Sequence, residues 1–132
     1  MTPTESLALC RLAKAACPQQ AVDEFTPDAW HLLLEDLRFE DAREALIEVC
    51  KRQPFVAPAE IRAGVTRIRD KRLRDHPLPP VPAGFTDAQE LAWKRDMRDR
   101  IADGEVFPIP ELPAGAPPAA VKALAAGWRG DR

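Results

Sequence analysis

The chain has 132 residues with 19 basic and 21 acidic side chains, a formal net charge of −2, 14 prolines and no tyrosine. That length holds one small domain with an appendage. No stretch is basic enough to require nucleic acid, and no apolar run is long enough to cross a bilayer. Met1 leads into a helix-start signature and not into a basic region with an apolar core, so a cytoplasmic protein is expected.

Thr2-Pro3-Thr4-Glu5 predicts a helix start, with Thr2 and Glu5 as a capping box and Pro3 at the first helical position. Leu9, Leu12, Ala13 and Ala16 recur at helical spacing until Pro18 stops the run. Phe25-Thr26-Pro27 predicts a second start, with Thr26 as cap and Phe25 stapled onto Trp30. Its stripe is Trp30, Leu33, Leu34 and Leu37, widened by Leu32, so this short helix is expected to be almost surrounded by core. Arg38-Phe39 makes a corner. Glu40–Arg52 then turns Ala42, Ala45, Leu46, Val49 and Cys50 inward, with acids at its start and cations at its end as the helix dipole favours.

After a short loop in which Phe55 is expected to plug the core, Pro58 starts a helix with Ile61, Val65 and Ile68 buried. Residues 58–76 carry six basic and three acidic side chains, net +3, against six and ten, net −4, over residues 1–57. The helix is expected to continue as a charged arm. Nine of the 14 prolines follow His76. Pro77–Gly84 is a semi-rigid linker with polyproline character. Thr86 and Gln89 form another capping box, Asp87–Asp103 reads as an amphipathic helix, and Gly104 stops it. Ala119–Trp128 has the pattern of a short helix. The fold class is all-α. The organisation is a four-helix domain over 3–75, a Pro-rich linker over 76–85, a helix over 86–104 and a Pro/Ala-rich tail over 105–132.

Chemistry-bearing motifs are missing. There is no phosphate-cradling glycine loop, nucleophile elbow or zincin pair. Ser6 is the only serine and lies more than twenty residues from either histidine. His31 has no acid or nucleophile placed in sequence to use it. Cys10, Cys17 and Cys50 form no framework or metal-ligand spacing and are expected to be reduced thiols in the core. No catalytic residue, cofactor site or metal site is expected, which leaves a recognition protein. Three sets of residues suit recognition. Arg67, Arg69, Lys71, Arg72 and Arg74 form a basic arm suited to nucleic acid or an acidic partner. Trp93, Met97 and Ile101 form an i, i+4, i+8 anchor set for a partner groove. Val121, Leu124 and Trp128 form a second anchor set.

The pattern Thr26…Trp30…Leu33-Leu34…Asp36, Phe39-Glu40-Asp41-Ala42…Ala45 and Phe55…Pro58-Ala59-Glu60-Ile61…Arg69…Arg72 resembles the phage-type loaders and inhibitors of the replicative helicase. The resemblance spans roughly residues 3–74. It implies a small helical N-terminal domain and a flexible C-terminal part that binds the hexameric replicative helicase. Such proteins hold the helicase ATPase in check and help deliver the ring to an origin-bound initiator, without an ATPase motor of their own. The helix signals over 86–103 depart from a wholly flexible C-terminal part. The rival reading is a small DNA-binding regulator, since residues 26–52 have a helix-turn-helix outline. Glu40, Asp41, Glu44 and Glu48, however, would meet phosphates on the exposed face of its second helix. Binding to some other host protein is the remaining alternative.

Overall fold

The computed structural model describes residues 1–107, which hold five helices and no strand: α1 (Pro3–Ala16), α2 (Thr26–Leu34), α3 (Phe39–Arg52), α4 (Pro58–Asp75) and α5 (Asp87–Ala102). Among these residues no helix is long and apolar enough to cross a membrane. The expected tail helix with Val121, Leu124 and Trp128 lies outside the described residues. The chain divides into two compact units, Met1–Ile68 and one beginning at Arg69, so the boundary falls inside α4.

In the first unit α1 packs against both α2 and α3. Its start follows the sequence: Glu5 N–H donates to Thr2 Oγ1 at 3.2 Å, and Thr2 N–H donates to Glu5 Oε1 at 2.9 Å. Its buried positions, Ser6, Leu9, Cys10 and Ala13, are three and four residues apart and form one narrow stripe. The side chains are mostly small, which lets neighbouring helices come close. Past the helix end, Lys14 Nζ donates to the Pro18 and Gln20 carbonyls, both at 2.9 Å.

The start of α2 differs from expectation. Thr26 is the first helical residue, not the cap. Asp23 does the capping work: its Oδ1 accepts from the Phe25 and Thr26 N–H groups at 2.9 and 3.0 Å and from the Thr26 hydroxyl at 3.1 Å. Asp41, expected on the exposed face of α3, is buried. It lies one helical turn before Ala45 and so shares the inward stripe of α3.

Phe55 was expected in the core, but the structure leaves it exposed and buries Val56 in its place. The reason is a clamp from a distant amide. Gln20 Nε2 donates to the Val56 carbonyl at 2.8 Å, and Val56 N–H donates to Gln20 Oε1 at 2.7 Å. Both backbone groups of Val56 are thereby held, its side chain joins the core cluster, and Phe55 stays outside.

The first turn of α4 is fixed by Glu60, whose carboxylate accepts from Ala57 N–H at 3.2 Å and Gln53 Nε2 at 2.6 Å. Ile61 and Val65 are buried as expected, and so is Gly64. A β-carbon on Gly64 would stand 2.7 Å from the Ala45 β-carbon, so α4 approaches α3 at a point where both residues are small.

In the second unit, the Thr86–Gln89 capping box opens α5, with bonds of 3.3 and 3.0 Å. Gly104 (φ 100°) turns the chain out of the helix as expected. Arg72 Nη1 donates to the Ala102 carbonyl at 2.8 Å, and the Arg69 guanidinium pairs with Asp103. Two cations thus sit at the negative end of the α5 dipole.

Gly64→Ala tests the α3–α4 approach. Helix propensity favours alanine by up to ~1 kcal/mol, while overpacking costs about 1–3 kcal/mol. Chemical denaturation should show a net loss of about 1 kcal/mol, larger for Gly64→Val. A stabilised Gly64→Ala protein would mean that α3 and α4 do not meet as described.

Candidate functional site

The largest departure from the sequence reading is on α2. Of its apolar residues only Trp30 and Leu34 are buried, with Leu37 partly so. Leu32 is 75% exposed, Leu33 54% and Phe25 68%. The helix is not surrounded by core, and Phe25, expected as a staple on Trp30, is largely exposed. Helical geometry explains the split. At about 100° per residue, the midline of Trp30 and Leu34 lies about 180° from Leu32 and about 160° from Phe25. One side of α2 packs on α1, and on the other Phe25, Leu32 and Leu33 are exposed.

This outward face carries Phe25, Ala29, Leu32 and Leu33, within an arc of about 100°. Exposed acids border it: Glu24, Asp28, Glu35 and Asp36. Its far end is held from α4, where Arg62 Nη1 donates to the Leu33 carbonyl at 3.0 Å and the guanidinium grips Asp36 with bonds of 2.7 and 2.9 Å. Scattered exposed leucines are ordinary. Phe25 at the cap and Leu32 and Leu33 on the helix, with acids along the border and Arg62 at its far end, form a patch of the kind used in recognition.

The inner side of α2 holds a constellation that sequence distance hid. Ser6 Oγ lies 2.9 Å from His31 Nδ1, and Glu35 Oε2 lies 3.7 Å from His31 Nε2. Serine, histidine and carboxylate in line have the outline of a hydrolytic triad. Ser6, however, has 0% of its surface accessible, so no substrate carbonyl can approach its oxygen. The arrangement links α1 to α2 by satisfying a buried hydroxyl.

The expected basic arm is divided in its roles. Arg69 and Arg72 are engaged by Asp103 and the Ala102 carbonyl, and Lys71 pairs with Asp75 at 2.5 Å. Arg67 and Arg74 are exposed. The Trp93-Met97-Ile101 set is also divided: Met97 and Ile101 are buried and Trp93 is half-buried, while Leu91 is the exposed large apolar residue of α5. As folded, Met97 and Ile101 have almost no surface to offer a partner. No group of three His, Cys, Asp or Glu side chains among the described residues is placed to hold a metal ion. Comparison with family models, with curated proteins and with solved structures yields no match.

Two carboxylates that frame α2 titrate below their ordinary value of 3.8: Asp23 because the Phe25 N–H and Thr26 hydroxyl bond to it, and Asp36 because Arg62 does. Each therefore stabilises the fold above the unfolded value, and that contribution is lost as the pH falls through the lower folded value. Thermal melts should show the melting temperature dropping between about pH 5 and about pH 2. Asp23→Asn should lower it at neutral pH and shrink the acid drop. An acid drop of undiminished size in that variant would contradict the capping role of Asp23.

Proposed function

We propose that this chain is a non-enzymatic, cytoplasmic adaptor of phage or prophage DNA replication. It binds the hexameric replicative helicase, restrains it and helps load it at an origin-bound initiator. The observation that carries the recognition reading is the outward face of α2, with Phe25, Leu32 and Leu33 exposed beside a core that closes without them. The choice of partner rests on the resemblance of residues 3–74 to phage-type helicase loaders.

The chemistry of the face describes its target. An apolar centre with an acidic border fits a partner surface with apolar anchors and a basic rim, the rim steering encounter and the centre supplying most of the affinity. The face belongs to the ordered first unit, so docking there needs no refolding. Met97 and Ile101 would have to be uncovered before they could contribute, which assigns α5 a later step than first contact. Direct DNA binding through residues 67–74 is the weaker reading, because Arg69 and Arg72 already hold the end of α5.

The test is capture of purified replicative helicase by the immobilised protein. Wild type should bind, and Leu32→Gln/Leu33→Gln should weaken binding by roughly tenfold or more, the loss typical of a central apolar anchor. Capture unaffected by that double variant would remove α2 as the docking face. No capture by the wild type would remove the helicase as partner.

A further inference from the structure

Cys17 closes the C-terminal end of α1, and Cys50 lies in the last turn of α3. They are 33 positions apart in the chain, yet their sulfurs are 3.3 Å apart, with either thiol able to donate to the other. All three cysteines are free thiols. Cys17 is buried and Cys50 is half-buried, so Cys50 is the more accessible residue of the pair.

We propose that Cys17 and Cys50 form an oxidation site that a peroxide closes into a disulfide between α1 and α3. The proposal does not depend on the partner suggested above. A disulfide bond is about 2.05 Å long, so the sulfurs must approach by about 1.3 Å, shared between two side chains at helix ends. Closure proceeds in two balanced steps. The Cys50 thiolate attacks one peroxide oxygen, the O–O bond breaks, and the other oxygen leaves as hydroxide or alkoxide and takes up a proton. Cys50 is then a sulfenic acid. The Cys17 sulfur attacks it, the S–O bond breaks and water departs with the Cys17 proton. Two thiols have lost two electrons and two protons, and one peroxide has become water or alcohol plus water.

Burial is the largest of the effects that push the Cys50 thiol up to about 11, with the Cys17 hydrogen bond and Glu60 adding to it. Cys50 at rest is therefore protonated and reacts slowly, which suits a site closed by sustained oxidant exposure and not by trace oxidation. Cys10, also pushed up to about 11 by burial, serves as an internal control about two turns back along the same stripe of α1. The cross-link closes a loop that contains α2 and nearly all of α3, so it removes freedom mainly from the unfolded chain. It would lock the unit that carries the exposed α2 face.

The experiment uses the full chain, reduced and then treated with hydrogen peroxide. Alkylation under denaturing conditions should leave one of the three thiols reactive, Cys10. Peptide mapping should find the Cys17–Cys50 cross-link, and the melting temperature should rise by about 10 °C or more and return on reduction. Cys10→Ser should behave as wild type, and Cys50→Ser and Cys50→Ala should abolish the shift. Over-oxidation of Cys50 without a cross-link, a bridge that involves Cys10, or only intermolecular dimers would each overturn the proposal.

Discussion

The first unit depends on the narrow inward stripe of α1. Ser6, Leu9, Cys10 and Ala13, continued by Cys17 just past the helix, are small for core residues, and two helices pack against that one helix. Small side chains allow a close approach but bury little area each. The polar members of the stripe must then find partners inside the core. Ser6 finds His31 on α2, and Cys17 finds Cys50 on α3. The Gln20 amide, just beyond, finds the backbone of Val56. Each contact ties a different stretch of chain to α1, and together they leave α2 only one side to bury. The exposed face of α2 follows from a hub that is too narrow to cover it.

What was legible in the sequence had short range. The Thr2–Glu5 and Thr86–Gln89 boxes are three-residue motifs, and both form as expected. The all-helical class followed from apolar spacing, and the structure shows it across the described residues. The errors came where a partner lies far along the chain. Periodicity groups Leu33, Leu34 and Leu37 with Trp30, and Leu32 beside them, but cannot say which side lacks a neighbour. Phe55 outranks Val56 on size, yet Gln20, 36 positions from Val56, decides which of them turns in. The Ser6–His31 link spans 25 positions and the Cys17–Cys50 contact 33, so neither leaves a local signature. Gly64 carries no local signal of its role, because the Ala45 β-carbon that it faces lies on another helix.

Charge tells a similar story. The basic arm looked like a surface for phosphates, but Arg69 and Arg72 complete the end of α5. Arg62 closes on Asp36 and the Leu33 carbonyl, which braces the acidic border of the α2 face. Such exposed pairs add little to stability. Arg62 instead ties the end of α2 to α4, which helps to keep the apolar face of α2 in one orientation within the first unit.

The central claim is that α2 has two unlike sides, one that holds the fold and one that does not. Urea denaturation of two variants separates them. Leu34→Ala removes a fully buried side chain and should cost about 2–5 kcal/mol. Leu32→Gln/Leu33→Gln changes only the outward side and should stay within about 0.5 kcal/mol of wild type. A double variant that loses as much stability as Leu34→Ala would show that the outward face is core, and would contradict the account.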